Sequence, residues 1–238
     1  MAEIENTLKF LRCAAFEEAL KHRRPPQPFI TISRQAGAGG STLAAVILKR
    51  MAQRREALFD DWRLFDRELC AAIAGDPKLS VRLDNLVREV YRSDLADYLA
   101  QFVAEESPQA AVIKKVFQTV WNAAAAGRAV IVGRAASDLT RRLPLGVHVR
   151  LVASSGARIA RMMRRYGFAR DQAEREMTNE DRSRASMLKT YFRSDIDDPL
   201  LYDAVWNTDR VPFDDIADAV LALVKARAEA RGAVMEGA

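Results

Sequence analysis

A short β-branched run, a glycine-rich turn and an amphipathic segment follow one another between residues 29 and 51. This order constrains the fold of the chain more than any other feature. Phe29, Ile30, Thr31, Ile32 and Ser33 have the pattern of a buried strand. Ala36, Gly37, Ala38, Gly39 and Gly40 form the turn, and Leu43, Val46, Ile47 and Met51 then share one face of a helix. Glycine reaches positive φ cheaply, so such a turn can aim several backbone N–H groups at one anion. The helix behind it adds the partial positive charge of its N-terminus. Ser41 and Thr42 stand where a hydroxyl would meet a bound magnesium ion. The alternative is an ordinary strand-to-helix turn; the strand before it and the Ser-Thr pair after it favour phosphate.

The rest of the chain repeats the alternation. Further strands are expected at Trp62 to Phe65, ending in Asp66, at Ala129 to Val132, at Val147 to Val152, and at Ala204 to Trp206, ending at Asn207 and Thr208. Residues 67–126 read as helical, broken near Pro77 and Pro108, with Gly127 as the C-cap. Residues 154–190 read as helical and rich in both charges. Phe213, Ile216, Val220, Leu223 and Val224 mark a final amphipathic helix with Pro212 at its first turn. Five strands alternating with helices predict an α/β chain with a five-stranded parallel sheet and helices on both faces, and the strand, glycine turn and helix at its start make the expected fold the three-layer P-loop NTPase type. The expected organisation is a helical extension (1–27), one domain (28–231) carrying a helical insertion (about 67–126) and a helical lid (about 154–200), and a flexible tail (232–238). The helix at residues 3–22 covers the domain's own sheet or pairs with a second subunit as a homodimer.

Charge narrows the partners. The chain of 238 residues carries a formal charge of +5, with arginines clustered at Arg161, Arg164 and Arg165. Arginine's planar fork suits phosphate oxygens. Aromatic residues do not interleave with the basic ones as a nucleic-acid stacking platform requires, so small nucleotides are expected and nucleic acid is not. No apolar run approaches the roughly 20 residues that cross a bilayer. Met1 to Asn6 has no basic cluster ahead of an apolar stretch. These features point to a cytoplasmic protein without a membrane partner. Cys13 and Cys70 lack CxxC spacing, and His22 and His148 lie far apart, so a zinc site is not expected. Asp197, Asp198 and Pro199 read as a turn rather than a metal site.

Four short motifs, in order, carry a family resemblance. The run Ile32, Ser33, Arg34, Gln35, Ala36, Gly37, Ala38, Gly39, Gly40 comes first. Asp66, Arg67 and Glu68 follow the second strand, and Gly133 and Arg134 the third. A late block of Asp181, Arg182, Ser183 and Arg184 precedes Tyr202, Asp203, Asn207 and Thr208. In this order they resemble the cytidylate kinase-like proteins, from about residue 28 to 225. The resemblance implies an ATP- and Mg2+-dependent phosphotransferase acting on a nucleoside monophosphate, with CMP or dCMP as acceptor. The stretch 67–126 would then be the monophosphate-binding insertion. It implies that the loop from Ala36 to Thr42 holds the donor phosphates and that Asp66 and Arg67 face the acceptor. Arg134 would contact the acceptor phosphate, and lid arginines, among them Arg158, Arg161, Arg165, Arg182 and Arg184, would close over the transferring group. The competing reading of those arginines is a solvated helix face.

Two positions depart from the pattern. A full phosphate loop reads GxxxxGK followed by Ser or Thr. Aligned on Ser41, the lysine position is Gly40 and the first glycine position is Arg34. Arg34 is the candidate to supply the missing charge from the other side of the loop. Val132 stands where cytidylate kinases carry an acidic residue, leaving Ser41 and Asp66 as the candidate magnesium ligands. The departures keep a second reading open, a catalytically weakened nucleotide-binding regulatory protein on the same fold.

Overall fold

The computed structural model describes residues 26–75, 108–133 and 135–236 of the chain. Within them five strands form one sheet: β1 (Phe29–Arg34), β2 (Arg63–Phe65), β3 (Ala129–Ile131), β4 (Gly146–Val152) and β5 (Ala204–Asn207). Their order is β2-β3-β1-β4-β5, and every neighbouring pair is parallel. Each begins and ends within a residue of its apolar run. Seven α-helices are present among the described residues: α1 (Gly40–Gln53), α2 (Arg67–Gly75), α3 (Pro108–Ala126), α4 (Ala136–Thr140), α5 (Ser155–Tyr166), α6 (Arg170–Phe192) and α7 (Phe213–Glu236). The expected helix at residues 3–22 and the middle of the expected insertion, residues 76–107, lie outside the described residues.

Parity along β1 divides the core. Ile30 and Ile32 join Leu43 and Ile47 of α1, Val147, Val149 and Leu151 of β4, and Val220 and Leu221 of α7. Phe29 joins Leu69 of α2, Phe117 and Trp121 of α3, and Leu139 of α4. Large side chains buried this completely stabilise the fold by about 1.5–3 kcal/mol each. The two clusters are the two faces of the sheet, which is why its central strands read as almost continuous apolar runs.

Two details differ from the sequence reading. The charged run 154–190 is two helices, because Gly167 takes φ +71° and its N–H caps α5 by donating to the Met163 carbonyl. The chain then reverses through residues 167–169 into α6. The last helix runs to Glu236, past the expected boundary at residue 231. Gly127 caps α3 with φ +77°, as its position predicts.

The α3-facing side of the sheet also buries polar groups. Thr31 Oγ1 lies 2.8 Å from His148 Nδ1 and 3.1 Å from Ser137 Oγ. Burial pulls the His148 pKa down from 6.5 to about 4. The folded protein therefore holds the ring neutral while the unfolded chain binds a proton between these values. Stability contributed by His148 is complete above pH 6.5 and is lost as pH falls through about 4. The loss amounts to about 3 kcal/mol at most. Melting curves of His148→Gln should fall less than the wild type's between pH 6.5 and 4.5. Identical pH profiles would rule the histidine out as the source.

Candidate functional site

The glycine turn leaves the carboxyl end of the central strand. Gly37 and Gly39 take φ +74° and +94°, the left-handed region their sequence positions anticipate. A Cβ on Gly37 would lie 2.6 Å from the Arg158 backbone oxygen, and one on Gly39 would lie 2.3 Å from the Phe213 ring. Gly37→Ala combines a strained φ with contact against helix backbone that cannot step aside. It should destabilise the protein by at least about 1 kcal/mol and weaken binding at the loop, read as a lower Tm together with weaker ATP binding. Wild-type values for both would mean that the turn relaxes freely.

Behind the turn, α1 begins without a side-chain cap and without an acidic residue in its first turn. Its first N–H groups are therefore open to an anion from outside the helix. Ser41 and Thr42 are exposed at this end. A cavity of about 430 Å³ lies between the turn and the α5–α6 pair. Arg34, Gln35, Gly37, Gly39, Gly40, Ser41 and Thr42 line it from the loop. Arg161, Met162, Arg164, Arg165, Tyr166, Glu180 and Arg184 line it from the helices.

Arg34 and Gly40 are complementary. Arg34 has the parity of Ile30 and Ile32 and so shares their side of the sheet, the one covered by α1. A Cβ on Gly40 would sit 3.1 Å from both Arg34 Cγ and Cδ, and 3.4 Å from Nε. The arginine stem thus lies close enough that a side chain at position 40 would push it by a few tenths of an ångström, and Arg34 is among the residues that line the cavity.

The helices hold the loop as well as covering it. The Ala36 N–H donates to Asp181 Oδ1 of α6 at 2.7 Å. Arg158 of α5 ion-pairs with Asp181 Oδ2 and reaches the Ala36 carbonyl at 3.3 Å. Arg184 ion-pairs with Glu180 and lies 3.1 Å from Asp181 Oδ1. Ala36 packs in a small core with Ile159, Met162, Ala173 and Met177. On the other side Arg161 donates to Thr208 Oγ1 at 2.9 Å, and Thr208 donates to the Ala38 carbonyl at 3.1 Å. Asp209 accepts from the Ser154 N–H at the start of α5. Hydrogen bonds from the Ser154 side chain and backbone N–H hold the Asp209 carboxyl below its ordinary range.

The sequence model of the cytidylate kinase-like family matches residues 29–210. The chain belongs to the cytidylate kinase-like family. A search of the curated proteins finds no match. Among solved structures, an uncharacterized protein from Eubacterium ventriosum shares 21% identity at a TM-score of 0.65, covering 84% of this chain and 99% of that one. Shikimate kinase from Bacteroides thetaiotaomicron shares 12% identity at a TM-score of 0.39, covering 86% and 98% respectively.

Within this family member, the residues expected to act distribute unevenly. Arg34, Gly37, Gly39, Gly40, Ser41, Thr42 and Arg184 meet at the cavity. Ala36 and Ala38 are buried behind it. Arg182 is exposed and outside the lining. Asp66 is also outside the lining; its Oδ1 accepts from the Leu69 N–H at 2.9 Å, an N-cap for α2. Arg134 and the Arg67 side chain lie outside the described residues. Asp197 pairs with buried Arg150 at 2.6 Å and Asp198 caps the turn at Pro199–Leu201, so this segment is the turn its sequence predicts. The sequence reading passed over Glu180 and Tyr166, and it weighed Arg164 only as charge. The cluster of Arg161, Arg164 and Arg165 is visible in the sequence as charge, and their spacing, three and four apart on one helix, is what places all three at the cavity.

Proposed function

We propose that the protein transfers the γ-phosphoryl group of ATP to a nucleoside monophosphate, CMP or dCMP by its family. The observation that carries this reading is the fit of Arg34 over Gly40, which returns a cation to a phosphate loop that has lost its lysine. The donor phosphates lie against the loop and the first N–H groups of α1. An oxygen of the acceptor phosphate attacks the γ-phosphorus, the bond to the β–γ bridging oxygen breaks, and ADP leaves with that electron pair. Such a reaction requires positioning and charge neutralisation more than covalent help. Arg34 supplies charge from the loop, and Arg161, Arg164, Arg165 and Arg184 supply it from the covering helices.

The family implies magnesium, but the donor set present does not fit a magnesium site. Ser41 lines the cavity, while Asp66 caps α2 and Val132 is buried in the apolar core. Among the described residues no group of three or more His, Cys, Asp or Glu side chains could hold a metal ion.

The test is to incubate the purified protein with ATP and each common nucleoside monophosphate, with and without magnesium, and to follow ADP and the new diphosphate. A diphosphate from one pyrimidine monophosphate is expected. Val132 in the core and glycine at position 40 favour a second reading, a nucleotide-binding regulatory protein. ATP-induced thermal stabilisation without any diphosphate would select it.

A further inference from the structure

The described lining of the cavity is rich in guanidinium groups and poor in the carboxylates that usually hold a metal. Five arginines line it (Arg34, Arg161, Arg164, Arg165, Arg184) against one carboxylate, Glu180; outside the lining, Arg161 also pairs with Asp209 at 3.6 Å and Arg184 with Asp181 at 3.1 Å. Glu180 is already ion-paired with Arg184. Nearby Asp181 is committed to Arg158 and to the Ala36 N–H. Enzymes that bind magnesium with a phosphate substrate usually hold it through one or two carboxylates as well. Among the described residues, the lining offers no carboxylate outside an ion pair. A divalent cation brought in with the phosphates would add its charge beside the exposed Arg164 and Arg165 guanidinium groups. It would also take up phosphate oxygens that those forks are shaped to bind in pairs.

We infer that this cavity binds the donor polyphosphate as the free anion, with arginines in the place of magnesium. The inference rests on the reading that the loop receives ATP, and goes beyond it by naming the ligand form. Two guanidinium groups on exposed positions of α5, Arg164 and Arg165, carry part of that neutralisation without serving the core. Metal-free binding therefore depends on them more than binding of the magnesium complex does, because the complex arrives partly neutralised.

Calorimetric titration of the full chain with ATP, and separately with inorganic triphosphate, tests this at matched ionic strength, in EDTA and in excess magnesium. Both ligands are expected to bind in EDTA at least as tightly as in magnesium. The double variant R164A/R165A, whose sites are exposed, should weaken the EDTA affinity by about tenfold or more and the magnesium affinity by less. Magnesium tightening ATP binding by more than about threefold would overturn the inference while leaving the loop's role as an ATP site intact. So would a double variant that binds in EDTA like the wild type. Absence of binding under both conditions would overturn the ATP site itself, and the inference with it.

Discussion

Arg34→Ala should lower kcat/KM for phosphoryl transfer by about 10³-fold, the lower end of what a single arginine on the transferring group contributes, and should weaken ATP binding in a direct titration. The stem of Arg34 lies against Gly40 and one guanidinium nitrogen is buried, so a melting curve of the variant separates the loss of charge from any loss of folding. The geometry also predicts a rescue. Once the arginine stem is gone, a side chain at position 40 no longer meets carbon at 3.1 Å. The double variant R34A/G40K should therefore accept the lysine that phosphate loops usually carry and recover at least about tenfold of the loss. Gly40→Lys alone should do worse than the wild type, because the lysine would push the Arg34 stem from its place. Arg34→Ala with unchanged ATP affinity and turnover would show that the cation of the loop is elsewhere.

Asp181→Ala should lower Tm by several degrees and raise the KM for ATP. The carboxylate has three partners: the Ala36 N–H, Arg158 and Arg184. Both arginine side chains are only 9% exposed, whereas Asp181 is 29% exposed. Removing one member of a buried ion pair costs about 3–5 kcal/mol. Partial exposure of Asp181 and the second partner of Arg184, Glu180, place the expected loss at or below the lower end. Asp181→Asn separates the two roles. Its carbonyl oxygen can still accept from Ala36, but the charge between the arginines is gone. The expected order of both Tm and ATP affinity is wild type, then asparagine, then alanine. Equal ATP affinity in all three would mean that the helices do not position the loop.

Much of the scaffold was legible because its signals are local. β1 and β4 are apolar runs in a parallel sheet covered on both faces, and their ends could be placed within a residue. The turn from Ala36 to Gly40 announces itself through glycines whose backbone needs positive φ at Gly37 and Gly39. The break between α5 and α6 was equally local: Gly167 carries it, but the charged periodicity on both sides masked the cap. Asp66 shows the limit of a motif. The same aspartate suits an acceptor pocket, a metal or a helix cap, and the cap is what its hydrogen bond to Leu69 makes.

The sequence by itself determined the strand–turn–helix order, the parallel α/β class and the location of the glycine-rich turn, since each depends on residues within a few positions of one another. Tertiary structure alone decided which charges meet there. Arg182 and Arg184 stand two apart in the same block, yet the helix turns about 100° per residue, and only Arg184 reaches the cavity. Ala36 is bonded to a carboxylate 145 residues away and to an arginine 122 residues away. Contacts of that separation leave no periodic trace in a single chain, because nothing in the local backbone requires them. They arise only when two helices that follow a neighbouring strand fold back over the loop.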